Sequence, residues 1–160
     1  MIYIIIVALI VFGEFKIKNY IEKNYECGEE RKILKGRITI TKYYNNGAFL
    51  NFLENKKEIV KTVSCVGLGF LLLLFAFMLP KRGNKLYKLG LALLLGGAIS
   101  NVSDRLTKGH VVDYFSINFK RLKNIVFNIG DFAIFIGAVL IFLSSALSTV
   151  FQSGSDKTTE

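Results

Sequence analysis

The chain has 160 residues, 52% of them hydrophobic, a formal net charge of +9 and a mean hydropathy of +0.43. That is too apolar for a soluble domain of this length and points to one membrane-embedded unit. Most Lys and Arg residues flank apolar runs, where they meet headgroups and set topology, so the positive balance does not imply nucleic acid.

The first apolar stretch, residues 1–15, has no basic leader and no small-residue cleavage site after it, so it is expected to stay as a first span. Residues 24–27 do not form a lipoprotein processing site either. In the loop that follows, residues 37–44 alternate and are β-branched, which predicts a short strand. Asn45-Asn46-Gly47 is turn chemistry. Phe49, Leu50, Phe52 and Leu53 have the spacing of a short interfacial helix.

A second span is expected over 59–79, stopped by Pro80, the only proline. A third is expected over 86–103 and a fourth over 125–150, each near the ~20 residues needed to cross the hydrocarbon. Lys81 to Lys88 carries four positive charges and no acid, which places this connector in the cytoplasm. Both termini then lie inside, and loops 16–58 and 104–124 lie outside. Loop 16–58 is itself basic, which opposes this, but the Pro80 connector is shorter and more purely basic. The expected fold is all-α with four transmembrane helices and a small extracytoplasmic subregion containing β-structure and an interfacial helix. Residues 1–151 form a single domain, and 152–160 a polar cytoplasmic tail.

Of the four aspartates, Asp156 lies in the tail and the other three sit near membrane depth. Asp131 lies inside the start of the fourth stretch, and Asp113 lies 18 positions earlier. Ionisable groups there are expensive and mark functional sites. Asp131 has Asn128 on its helix face, and Asn101, Asp104 and Arg105 share a face at the end of the third helix. Asp104 and Arg105 can satisfy each other or anchor loop 106–113 so that Asp113 points inward. The glycines Gly96-Gly97 allow close helix packing.

Two carboxylates at close range share a proton. One can activate water while the other protonates a carbonyl oxygen, with no cofactor. Other hydrolytic routes lack their residues. No G-x-S-x-G occurs, Cys27 and Cys65 are far apart in character, and His110 is the single His, so no metal is expected.

Four blocks in order resemble the lipoprotein signal peptidase family (signal peptidase II), the membrane aspartic peptidases of bacteria. Glu14-Phe15-Lys16-Ile17-Lys18 stands where the family has D-Q-x-x-K, with Lys18 in agreement. Asn45-Asn46-Gly47-Ala48-Phe49 resembles N-x-G-A-[AF]. Residues 96–105 resemble G-G-A-x-G-N-x-x-D-R with Ser100 for Gly, and residues 109–114 resemble G-x-V-x-D-[FY]. Phe127-Asn128-Ile129-Gly130-Asp131 resembles F-N-x-A-D, with Gly130 for Ala.

The resemblance implies a catalytic pair at Asp113 and Asp131, supported by Lys18, Asn45, Gly47, Asn101, Asp104, Arg105 and Asn128. It implies cleavage of diacylglyceryl-modified prolipoproteins just before the lipidated cysteine, at the outer face of the cytoplasmic membrane, among membrane lipids, with sensitivity to globomycin-type inhibitors. A monomer is expected, because one bundle can enclose the site. The departures at Glu14, Phe15 and Ser100 bear on substrate positioning more than on catalysis. The alternatives are an inactive lipoprotein-binding relative, and a small four-helix transporter using Glu14 or Asp131 as a proton-coupling carboxylate.

Overall fold

A computed structural model describes residues 1–47 and 53–156. Helix α1 spans Ile2–Asn24 and continues well past the expected end at residue 15. No helix breaker intervenes, and Glu14, Lys18 and Ile21 recur at i, i+4 and i+7 as its buried face. Strands β1 (Arg31–Ile33) and β2 (Ile38–Asn45) follow, then helices α2 (Lys57–Met78) and α3 (Lys85–Thr107), strand β3 (Val111–Ile117) and helix α4 (Ile129–Asp156). Single 3-10 turns occupy Leu34–Gly36, Glu54–Lys56 and Lys120–Asn124. The interfacial helix expected over 49–53 lies outside the described residues except for Leu53. Helix α4 runs into the segment expected as a tail, as far as Asp156.

The stretches around α2, α3 and α4 (Glu54–Met78, Lys85–Thr107 and Ile129–Ser148) are long and apolar enough to cross a membrane. Their lipid-facing character shows in the exposed side chains. Phe70, Leu73 and Phe77 on α2 and Phe135 and Phe142 on α4 are each more than 60% exposed. Helix α3 is the centre, packed against α4, α1 and α2. Its contact with α4 is close because glycines face each other across it. A Cβ on Gly90 would meet the Gly137 carbonyl at 2.7 Å, and one on Gly97 would collide with the carbonyl of Gly130. At the other end of the bundle, the Lys88 ammonium donates to the Leu79 and Lys81 carbonyls, closing the C-terminus of α2.

The strands form one antiparallel sheet in the order β1-β2-β3. The strand expected at 37–44 is β2, but β1 and β3 were not foreseen. In β3, Val111 to Phe115 is β-branched and aromatic apart from Asp113, which suits a pleated surface. The register places Tyr43 opposite Asp113 and Asn45 opposite Val111, after an irregularity between Ile40 and Tyr43. Ile21, Val112 and Tyr114 form a core beneath the sheet, with Ile17, Tyr25 and Ile40 packed around them. The sheet therefore rides on the second half of α1, which is why that helix is longer than its apolar run.

The fourth apolar stretch was expected to be helical from residue 125. Instead, Phe127 bridges to Phe115, donating to its carbonyl at 2.7 Å and accepting its N–H at 3.0 Å. Phe127 thus joins the sheet edge, Ile125 and Val126 are neither helix nor strand, and α4 starts only at Ile129.

Candidate active site

Three asparagines orient two carboxylates. Asp113 sits in β3 and is 1% exposed. Its Oδ2 accepts the Asn45 Nδ2–H at 3.0 Å and its Oδ1 accepts the Asn128 Nδ2–H at 2.6 Å. Asn45 ends β2, and its own Oδ1 accepts the Gly47 N–H at 3.0 Å in an Asx turn. That turn leaves only the amide N–H groups of Asn45 to face Asp113.

Asn128 is the N-cap of α4. Its Oδ1 accepts the Asp131 N–H at 2.9 Å, while Asp131 Oδ2 accepts the Asn128 N–H at 3.1 Å. This reciprocal capping box satisfies two orphan donors of the helix start. It also ties the two carboxylates together, because the same Asn128 amide serves both. Asp131 therefore belongs to the first turn of α4, not to a position deeper in an apolar helix. Its other oxygen accepts the Asn101 Nδ2–H at 2.8 Å, and Asn101 Oδ1 accepts from Lys18 Nζ at 2.9 Å.

Lys18 is 2% exposed and reaches Ser100 Oγ at 3.1 Å, Asp104 at 2.9 Å and Glu14 at 3.4 Å. A buried ammonium is tolerable only with such a complement. Asp104 also accepts the Val112 N–H at 3.2 Å and pairs with Lys108 at 2.9 Å, so it holds the start of β3. The expectation that Asp104 and Arg105 satisfy each other is not met; Asp104 takes the anchoring role. Arg105 donates to the Gly47 carbonyl at 2.8 Å and the Asn101 carbonyl at 3.4 Å.

Glu14 is 1% exposed, and its Oε1 accepts the Tyr114 hydroxyl at 2.5 Å. The Tyr114 oxygen in turn accepts the Ile129 N–H at 3.1 Å, joining α1, β3 and the start of α4. In the sequence Tyr114 is only the last position of the 109–114 block, because its role needs β3 to exist. The sequence presents Glu14 as a departure and as the proton-coupling carboxylate of the transporter alternative, although its i, i+4 spacing to Lys18 within an apolar helix signals a buried pair.

A cavity of about 540 Å³ opens beside the pair. Asn45, Asn101, Arg105, Asp113 and Asp131 line it, and its remaining wall is largely apolar, from α2, α3 and α4, including Leu71, Leu94 and Phe135. Glu14, Phe15 and Ser100 are not among its lining residues. Burial first, and the neighbouring Asp131 charge second, push the Asp113 carboxyl up to about 7 despite its two amide donors. For Lys108, burial is outweighed by the hydrogen bonds to Glu22 and Asp104, which hold its ammonium above the ordinary range. Burial lowers His110. Among the described residues, no three His, Cys, Asp or Glu side chains converge as metal ligands.

Residues 5–147 match the family model described as signal peptidase (SPase) II. The lipoprotein signal peptidases of Lactobacillus johnsonii and Lactobacillus gasseri are each 33% identical over 141 residues, covering 88% of this chain and 89% of theirs. A solved bacterial membrane enzyme superposes with a TM-score of 0.80 at 26% identity, covering 92% of this chain and 88% of its own. A second such structure gives 0.75 at 26% identity, covering 89% and 90%. The fold and site thus define a membrane hydrolase of the protease class. The chain belongs to the signal peptidase II family of bacterial lipoprotein processing.

Proposed function

We propose that this chain is a four-span aspartic endopeptidase that removes signal peptides from diacylglyceryl-modified prolipoproteins, cutting just before the lipidated cysteine. The observation that carries this reading is the pair of carboxylates bridged by Asn128 at the polar end of an apolar cavity. Acyl chains can stay in lipid or in the apolar part while the peptide reaches the polar end.

The pair shares one proton near neutrality, and Asp113, the more enclosed, holds it. Asp131 takes a proton from water as the water oxygen attacks the scissile carbonyl carbon. Asp113 gives its proton to the carbonyl oxygen. The resulting diol collapses: a diol O–H returns its proton to Asp113 as the C=O reforms, the C–N bond breaks, and the proton gained by Asp131 goes to the leaving nitrogen. Arg105 and Asn45, both lining the cavity, hold polar parts of the substrate. The hydrophobic first half of α1, with Ile5, Leu9 and Phe12 exposed, supplies the fourth span. The peptidase domain covers 1–151 and the tail 152–160. The Lys81–Lys88 connector and both termini face the cytoplasm, and the site faces outward. The enzyme acts as a monomer, and globomycin-type inhibitors compete for its cavity.

The test is cleavage of a diacylglyceryl prolipoprotein by purified wild type, Asp113→Asn and Asp131→Asn in detergent. Wild type cleaves, and each variant is folded and slowed by about 10³-fold or more, since each removes an acid–base group. Full activity in either variant removes the dyad mechanism. An inactive wild type on several such substrates removes the substrate assignment.

A further inference from the structure

A second cavity, of about 210 Å³, lies on the other side of Arg105. Its cationic wall combines Lys57 and Lys61 from the start of α2, Arg105 from the end of α3, and Lys108 and His110 from the turn into β3. Glu58 is the one acid among its described lining residues.

The charges are not equally available. Lys61 is paired with Glu58 at 2.6 Å, and Lys108 with Glu22 at 2.7 Å and Asp104 at 2.9 Å. Lys57 has no carboxylate within ion-pair distance among the described residues. Arg105 forms no ion pair there either; its guanidinium spends two N–H groups on carbonyls. Two buried nitrogens have no hydrogen-bond partner, Arg105 Nε and His110 Nε2, and both belong to residues of this wall. A buried donor left unmade costs about 1–3 kcal/mol, so these two nitrogens beside the unpaired Lys57 favour a ligand with several acceptor oxygens.

We propose that this cavity binds a phosphate group, the headgroup phosphodiester of an anionic membrane lipid. Lys57 and Arg105 supply charge, and Arg105 Nε and His110 Nε2 supply directed N–H donors, with His110 in its Nε2–H tautomer. The volume suits a phosphate and little more, so the rest of the molecule must lie outside. Lys57 and Lys61 stand at the start of the span Glu54–Met78, and Arg105 at the end of the span Lys85–Thr107, so the cavity lies at the depth of lipid headgroups. This depth favours a lipid over free phosphate, because the acyl chains can stay in the hydrocarbon while the phosphodiester enters the cavity. The site is separate from the carboxylate cavity and shares only Arg105 with it. It does not depend on the peptidase reading.

The test is native mass spectrometry of delipidated full-length protein in detergent, with dioleoyl phosphatidylglycerol and with dioleoylglycerol, which has the same chains and no phosphate. Wild type retains one phosphatidylglycerol per chain and at least about tenfold less dioleoylglycerol. Lys57→Gln/Lys61→Gln lowers the phosphatidylglycerol occupancy about tenfold, the loss expected for charge-assisted contacts. Displacement by inorganic phosphate identifies a general phosphate site. Resistance to phosphate with the same lysine dependence identifies a lipid site. Equal retention of dioleoylglycerol overturns the proposal, as does undiminished phosphatidylglycerol binding by the double variant. Should that variant not fold, Lys57→Gln and His110→Ala singly carry the same comparison, and unchanged binding in both overturns it.

Discussion

At the residue scale, the site is governed by amide orientation. An asparagine can present either its oxygen or its nitrogen, and here the Oδ1 of Asn45, Asn101 and Asn128 is each occupied by a donor. The N–H groups are thereby committed to Asp113 and Asp131. Lys18 is the donor that sets Asn101, so it acts on Asp131 at one remove. Replacing Lys18 by Met leaves the buried Glu14 without its ammonium and Asp104 with Lys108 alone, which is expected to cost about 3–5 kcal/mol. Thermal unfolding in detergent reads this, and adding Glu14→Gln to Lys18→Met recovers part of the loss.

The raised carboxyl of Asp113 makes a second prediction. Its folded value of about 7 lies above its ordinary 3.8, so the folded state holds a proton that the unfolded chain has released. Stability therefore falls as pH rises from about 4 to about 7, and the deficit is complete above that. Asp113→Asn removes this penalty. Its melting temperature exceeds that of wild type at pH 8, and the difference narrows toward pH 4; a constant difference across that range contradicts the assignment. Cleavage activity in the wild type declines on the alkaline side as the shared proton leaves.

At the element scale, three segments meet at the start of α4. Tyr114 of β3 accepts the Ile129 N–H and donates to Glu14 of α1. Tyr114→Phe leaves that N–H and carboxylate oxygen without partners, at about 1–3 kcal/mol. Because the α4 start carries Asn128 and Asp131, kcat should fall more than KM rises, and the alkaline limb should move. A purely global destabilisation would leave both the limb and the kcat-to-KM partition unchanged.

The α3–α4 contact is equally specific. Gly97→Ala drives a Cβ into the Gly130 carbonyl, one position from Asp131. Overpacking of this kind costs about 1–3 kcal/mol and separates Asn101 from Asp131. A lower melting temperature with reduced turnover is expected, whereas Gly13→Ala, with open space around it, is expected to be near wild type in both.

At the scale of the whole molecule, the polar machinery gathers at one end of the bundle and the basic Lys81–Lys88 connector lies at the other. The topology proposed above makes exposed Cys27 a ready probe. In intact cells a membrane-impermeant maleimide should label Cys27. A cysteine placed at Asn84 in a Cys27→Ser background should stay unlabelled until the cells are opened. The reverse pattern inverts the orientation.

The apolar runs and the basic connector were legible along the chain because the hydrophobic cost of exposing a span is paid locally, residue by residue. The candidate carboxylates were legible for a related reason: Asp113 and Asp131 stand out against apolar surroundings. The departures at Glu14 and Ser100 were legible as departures, but not as neighbours of one ammonium. That Lys18 joins Glu14 to Ser100, that Asp104 turns to Lys18 rather than to Arg105, and that Phe127 joins a sheet edge instead of a helix all depend on how distant elements of the chain pack. Periodicity carries no such information. A buried polar group takes whichever partner the folded bundle brings within about 3 Å, and only the packing of α1, α3, β3 and α4 decides which that is.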